Sequence, residues 1–311
     1  MRLLRRAALG AMTREWWLEE HAPTFTWDLW YGCNYRCSYC WWEMENLWEE
    51  LAKTHRLLPP EDWAAAWGRV RERHGEARID VLGGEPLAYP RAAELFEALA
   101  KLHRLVITTN LSLEPEKLEA LARRLPSERV HFSASFHPEF TTFDKFMKKL
   151  LLLREQGLRP AVLFVTWPPF LPRLAEYRAA FQDAGFPFST MVFQGKHAGR
   201  RYPDAYTPQE RVLIERSTGG EPTSKAAERD YRLGARSTLG KPCHAGRVYA
   251  NVKADGRVFR CGQDAFGRKP LGNLFDADFR LHDSPRPCPY ERCSCLEFKY
   301  LDDLRAFEVP R

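Results

Sequence analysis

No apolar run in this sequence approaches the roughly 20 residues that a bilayer-spanning helix needs, and the mean hydropathy is −0.48. The first eleven residues, Met1 to Ala11, carry arginines but too short an apolar stretch to read as a secretion signal. The chain also lacks dense basic blocks. Its net charge of +6 over 311 residues permits an anionic substrate or partner, yet no basic and aromatic residues interleave as in a nucleic-acid arm. Most informative is a gap in one residue type: of eight cysteines, none lies between Cys40 and Cys243. Disulfides of a secreted protein would not be expected to segregate so sharply. Tight local groups such as Cys293-Ser294-Cys295 suit metal binding in a reducing compartment better, so a cytoplasmic protein is expected. Hydrophobic residues at 44% and charged residues at 28% are ordinary for a globular chain.

What is present is organised around Tyr31-Gly-Cys-Asn-Tyr-Arg-Cys-Ser-Tyr-Cys40, which follows an apolar run predicted as a strand, Phe25 to Tyr31. Cys33, Cys37 and Cys40, three and then two residues apart, can turn three thiolates towards one point. Such a set selects iron–sulfur, zinc or copper(I). A cubane cluster with three protein ligands keeps one iron open, whereas structural zinc would need a distant fourth ligand.

Downstream, strand-like and helix-like periodicities alternate. Pro60 opens a helix with Trp63, Trp67 and Val70 on one face. Strands are predicted at 78–82, 105–109, 130–136, 161–166 and 188–193, and helices at 91–102, 114–124, 144–156 and 171–184. Six strands separated by helices imply parallel βα units, which fit an open sheet or a barrel equally. The stretch from Trp41 to Pro60, rich in tryptophan and acid, reads either as a lid over the cysteine loop or as an amphipathic surface helix. A loop is predicted at 194–206. Thr207-Pro-Gln-Glu210 is a capping box opening a further helix to about Arg216.

Three predicted strand ends carry polar or glycine-rich groups: Gly83-Gly84-Glu85-Pro86, Thr108-Thr109-Asn110, and Ser133-Ala-Ser135-Phe-His137-Pro138. Two glycines allow close backbone approach to a ligand. His137 is a candidate proton carrier near neutral pH, or a packed loop residue. Near the C-terminus, a hairpin with its turn at Ala254-Asp255-Gly256 brings Cys243 and Cys261 together, and Cys288, Cys293 and Cys295 follow in a proline-rich tail.

The Cys-x3-Cys-x2-Cys loop with Tyr39 before the last cysteine, and the Gly-Gly-Glu-Pro turn at the second strand end, resemble radical S-adenosylmethionine (SAM) enzymes. The resemblance implies a partial (β/α)6 TIM-like barrel, of α/β class. It also implies a [4Fe–4S] cluster on Cys33, Cys37 and Cys40, and SAM bound by Tyr39, Gly83, Gly84, Glu85, Pro86, Asn110 and Ser135. The C-terminal pattern Cys-x12-Gly-x4-Cys with a later cysteine group resembles the SPASM/twitch extension. This implies a second, auxiliary [4Fe–4S] cluster held by four of Cys243, Cys261, Cys288, Cys293 and Cys295. The fifth is a bystander or a hydrogen-atom donor, with Cys288 as the candidate. The expected organisation is an N-terminal tail (1–24), the barrel (25–216), a linker (217–240) and the auxiliary-cluster extension (241–311). With so short a stretch before the first strand, no separate peptide-recognition domain is expected there. The implied function is SAM cleavage followed by hydrogen abstraction, leading to oxidation, epimerisation or cross-linking of a peptide or protein. The same chemistry on an aminoglycoside-type sugar, a non-catalytic metal module and RNA modification are the alternatives. An electron donor such as flavodoxin or ferredoxin is the expected partner.

Overall fold

The computed structural model describes residues 23–45, 47–217, 236–266, 269–293 and 297–302. The predicted N-terminal tail, the predicted linker and Cys295 therefore lie outside the described residues, wholly or for the most part.

Six parallel strands follow one another in sequence and in space: β1 (Thr24–Trp30), β2 (Arg78–Gly83), β3 (Arg104–Thr109), β4 (Val130–Ser135), β5 (Arg159–Val165) and β6 (Phe188–Met191). Each crossover carries helix, so the strands run parallel and their inward residues are apolar. The sheet does not close, and it makes the expected partial (β/α)6 barrel. Its β1 side is extended by three C-terminal strands, β10 (Tyr249–Val252), β11 (Arg257–Phe259) and β12 (Gly272–Asn273), while β6 forms the other edge. Among the described residues no helix is long and apolar enough to cross a membrane.

The core beside β1 shows how the sequence makes this architecture. The helix Pro60–His74 buries Trp63, Ala66, Trp67 and Val70, the i, i+3, i+4, i+7 stripe of an amphipathic helix. Pro60 sits at its first position, where the missing N–H costs nothing, and Gly75 ends it at φ +79°. Trp27 of β1 meets Trp63 at 4.7 Å and Trp67 at 5.5 Å between ring centroids. Phe275 touches the same Trp63 at 5.0 Å between ring centroids. Arg73 donates to the carbonyl of Phe279 at 2.8 Å. The C-terminal segment is thus packed onto the first helix of the barrel.

β10 pairs in parallel with β1, Thr24 against Tyr249 through Trp27 against Val252. Tyr249 donates its hydroxyl to Thr26 at 3.0 Å, and Lys253 pairs with Asp28 at 2.8 Å. The hairpin of the extension therefore continues the barrel's own sheet.

Two sequence expectations change. The predicted loop at 194–206 contains a hairpin, β7 (Gly195–His197) and β8 (Arg200–Tyr202). Its two-residue turn, Ala198-Gly199, has both φ angles positive (+47° and +74°), the backbone twist that hairpins select. The sequence signal was two glycines, Gly195 and Gly199, in a basic run. In the extension, Cys243 itself lies in a two-residue strand, β9 (Pro242–Cys243), paired with β13 (Arg286–Pro287). The capping box holds as expected: Glu210 accepts from the Thr207 amide at 2.7 Å, and the Glu210 amide donates to the Thr207 hydroxyl at 3.2 Å.

Candidate active site

The loop bearing Cys33, Cys37 and Cys40 leaves the C-terminal end of β1 and rests on the end of β2. Gly84 donates its amide to the Trp30 carbonyl, and Glu85 donates its amide to the Gly32 carbonyl, both at 2.8 Å. The approach is so close that a Cβ on Gly84 would lie 1.9 Å from the Gly32 oxygen. At Gly83, φ +120°, a Cβ would lie 2.2 Å from the Trp30 oxygen. The paired glycines are therefore required by the seat of the cysteine loop itself.

Glu85 is 1% exposed. It accepts from the Leu87 amide at 2.9 Å, the Thr109 hydroxyl at 2.6 Å and the Asn110 amide at 2.7 Å. Its carboxyl group ties the ends of β2 and β3 together and is spent on protein donors. What the Gly-Gly-Glu turn can offer a ligand is backbone. Burial raises the Glu85 pKa to about 7, against the three hydrogen bonds that favour its charged form. Pro86 is buried and starts the turn Pro86–Ala88.

Asn110 donates through Nδ2 to Asn34 at 3.1 Å and comes within 3.9 Å of the Cys33 sulfur. Ser135 ends β4 and is 8% exposed. Tyr39 is buried and gives its hydroxyl to Nδ1 of His137 at 2.8 Å, and the same nitrogen is 3.5 Å from the Cys37 sulfur. Burial drives His137 down to about 4. Its ring holds the loop through Tyr39 and Cys37. The structure thus brings Tyr39, Asn110, the Gly83–Pro86 turn and, at the end of β4, Ser135 to the strand ends around the three thiols.

Other contacts were not legible in the sequence. Glu139 accepts from the Ser38 amide at 3.0 Å and from the Ser38 hydroxyl. Arg36 donates to the Cys33 carbonyl at 2.8 Å and lies over the Trp48 ring at 4.5 Å. The 41–60 stretch forms two short helices, Trp41–Met44 and Trp48–Thr54. Trp42 bridges Tyr31 and Trp48, each at 5.2 Å, so this stretch packs against the loop.

The three thiols suit a cationic metal cluster. Burial raises Cys33 and Cys40, and raises Cys37 to about 12, where the charges of Cys40 and Cys33 add to the effect. Thiols that oppose one another's ionisation need a positive centre to become thiolates together. Among the described residues, no three His, Cys, Asp or Glu side chains converge as one metal ion would require. A cubane spaces its thiolates more widely than a single ion does.

A second group of cysteines lies at the other end of the sheet. Because β10 runs parallel to β1, Cys243 before it and Cys261 after the antiparallel β11 fall near the starting end of β1. Over β1 alone the two ends are roughly 20 Å apart. Cys243, Cys261, Cys288 and Cys293 line one small cavity, with Arg260 and Tyr290 in its wall. Four thiolates fully ligate a cubane and leave it anionic. Arg260 fits that charge: its Nε is buried without a hydrogen-bond partner, and the nearest Asp264 oxygen is 3.9 Å away. Cys288 is buried in this cavity, its thiol 3.5 Å from the Thr238 hydroxyl. This position is remote from the 33–40 loop and unlike that of a donor to a substrate held there.

Residues 28–172, somewhat less than half of the chain, match the family model described as the radical SAM superfamily. That family implies a [4Fe–4S] cluster and SAM. No curated protein matches the chain. Among solved structures, anSMEcpe with bound AdoMet and Cp18Cys peptide is similar at 15% identity and a TM-score of 0.57. The match covers 82% of this chain and 78% of that one. SuiB from Streptococcus suis is similar at 16% identity and a TM-score of 0.61, over 91% of this chain and 67% of that one. A SuiB structure bound to its precursor peptide SuiA gives 15% and 0.58, over 93% and 68%. At such identities the likeness is one of fold.

Proposed function

We propose that this chain is a radical SAM enzyme that abstracts a hydrogen atom from a peptide or protein substrate, leading to oxidation, epimerisation or cross-linking. The observation that carries this reading is the seat of Cys33, Cys37 and Cys40 against Gly84 at the strand ends of a radical SAM domain. When bound, the cluster and SAM supply the reducing electron and the 5′-deoxyadenosyl group that takes the hydrogen. The chain's own residues do the rest. Tyr39, His137 and Glu139 fix the loop, and Glu85 locks the ends of β2 and β3. The Gly83–Gly84 backbone, Asn110 and Ser135 are the groups at hand for SAM. Asn110 also lies beside the Cys33 sulfur.

Two structures of similar fold are described with peptides bound, Cp18Cys on anSMEcpe and SuiA on SuiB, which favours a peptide over a sugar. The C-terminal cavity supports an auxiliary [4Fe–4S] cluster on Cys243, Cys261, Cys288 and Cys293, which leaves Cys295 as the fifth cysteine. A flavodoxin or ferredoxin would supply electrons. The test is anaerobic reconstitution followed by dithionite reduction with SAM. About eight irons per chain and formation of 5′-deoxyadenosine are expected. Zinc in place of iron, with no 5′-deoxyadenosine, would sink the reading.

A further inference from the structure

The β7–β8 hairpin follows β6 directly and so stands on the cluster-loop side of the sheet, at its open edge. Its base is anchored. Gly195 lies against Met44 of the helix that follows the cysteine loop, and a Cβ there would meet the Met44 methyl at 2.6 Å. His197 touches Trp167 at 4.3 Å between centroids, and Trp167 in turn touches Tyr39 at 5.7 Å. Tyr202 is buried against Phe193 and Tyr206. Lys196, Arg200 and Arg201 are all exposed; Lys196 and Arg201 lie on one face of the hairpin and Arg200 on the other.

The pairing of these charges is unfavourable. Lys196 stands directly opposite Arg201. Like charges facing each other across an antiparallel pair destabilise it, and Ala198 in the turn adds a strained left-handed backbone at φ +47°. Nothing among the described residues offsets the repulsion. Lys196, Arg200 and Arg201 make no ion pair there, although Glu43 and Glu45 lie on and just after the helix that contacts β7. The Arg200 guanidinium reaches only the Ala205 carbonyl, at 2.7 Å. A two-stranded arm that sets Lys196 and Arg201 side by side beside the mouth of the site, with no ion pair among the described residues, is built for an anion outside the chain.

We propose that the β7–β8 hairpin is a docking arm for an acidic segment of the peptide substrate, held by Lys196 and Arg201 while a neighbouring residue of that peptide reaches the site. The proposal rests on the peptide-modifying reading above. The hairpin borders the open edge, through which a chain would enter.

The test uses the reconstituted full chain, anaerobically, with fluorescein-labelled decaglutamate as probe and decalysine as control. The wild type is expected to bind decaglutamate, more weakly as salt rises from roughly 50 to 200 mM, and not decalysine. Lys196→Glu/Arg201→Glu should weaken binding about tenfold, whereas Lys101→Glu/Lys117→Glu, the same charge change elsewhere on the surface, should leave it unchanged. Iron content and melting temperature establish that each variant folds, and a Lys196→Gln/Arg201→Gln pair gives a milder change in the same direction. Equal binding by wild type and hairpin variant, or equal weakening by both charge-reversed pairs, overturns the proposal. Unchanged peptide binding with slower cluster reduction by flavodoxin assigns the arm to the donor and also overturns it. Failure of the wild type to form 5′-deoxyadenosine defeats the radical SAM reading separately, because the binding measurements do not depend on it.

Discussion

The 33–40 loop draws three thiols from eight consecutive residues, whereas the C-terminal cavity gathers Cys243, Cys261, Cys288 and Cys293 from separate segments joined by two-residue strands. The first group is held by backbone contact with β2 and by the His137 ring from the loop after β4. The second is held by its own small core, Ala245, Tyr249 and Leu301, with Tyr300 stacked on Tyr249 at 4.6 Å. A local site is specified by spacing and by the strand end on which it sits. A non-local one depends on long-range pairing, above all that of β10 with β1.

Removing each group's ligands is the largest perturbation. In Cys33→Ala/Cys37→Ala/Cys40→Ala, about four irons of eight should be lost and 5′-deoxyadenosine should fall to background. In Cys288→Ala a similar iron loss is expected with SAM cleavage still measurable. Identical losses of cleavage in both would erase the functional distinction between the two ends.

Next in size is the seat of the loop. Gly84→Ala forces a Cβ into the Gly32 carbonyl and should cost about 3 kcal/mol or more, together with iron at the 33–40 loop. Thermal unfolding and iron analysis measure both. An unaltered melting temperature would mean that the close approach is not a constraint.

The seam between the two regions is tested by Lys253→Ala. Asp28 and Lys253 are largely buried partners, 10% and 19% exposed at their side chains, and stranding Asp28 should cost about 2 kcal/mol. Lys253→Met with Asp28→Asn should recover much of it. No loss in urea unfolding would show that the seam is held by the strand pairing alone.

The smallest effect is a pH dependence. The folded-state pKa of Glu85, about 7, exceeds the ordinary 4.5, so the folded chain binds this proton more tightly than the unfolded one. Stability from this group is full below about pH 4.5 and declines as pH rises through 7. Between pH 6 and 8 the wild type should lose about 1 kcal/mol that Glu85→Gln does not lose, although Gln is less stable overall because its amide faces the Asn110 N–H. A wild-type profile parallel to that of Glu85→Gln would refute the assignment.

Much of this was legible in sequence because it was local. The six βα units followed from apolar period, the helix at Pro60 from Trp63, Trp67 and Val70, and the capping box from Thr207 and Glu210. The strand-end turn at Gly83-Gly84 was also readable, although its glycines answer to the cysteine loop's own backbone. What escaped notice is non-local or set by charge. Glu139 meets Ser38 across 101 positions. The β7–β8 hairpin hides in a run whose charges argue against strand. That the C-terminal hairpin would join the barrel's own sheet is a pairing across 225 positions for Asp28 and Lys253, which no periodicity records.

That last pairing has a kinetic side. During synthesis the 33–40 loop and all six barrel strands are made long before β10 exists. Until β10 arrives, β1 presents a bare edge carrying Phe25, Trp27 and Leu29, the kind of edge that recruits strands from other chains. Contacts of such long sequence separation form late and slowly. Nascent barrels therefore pass through an adhesive stage that ends only when the last fifth of the chain zips onto the first strand.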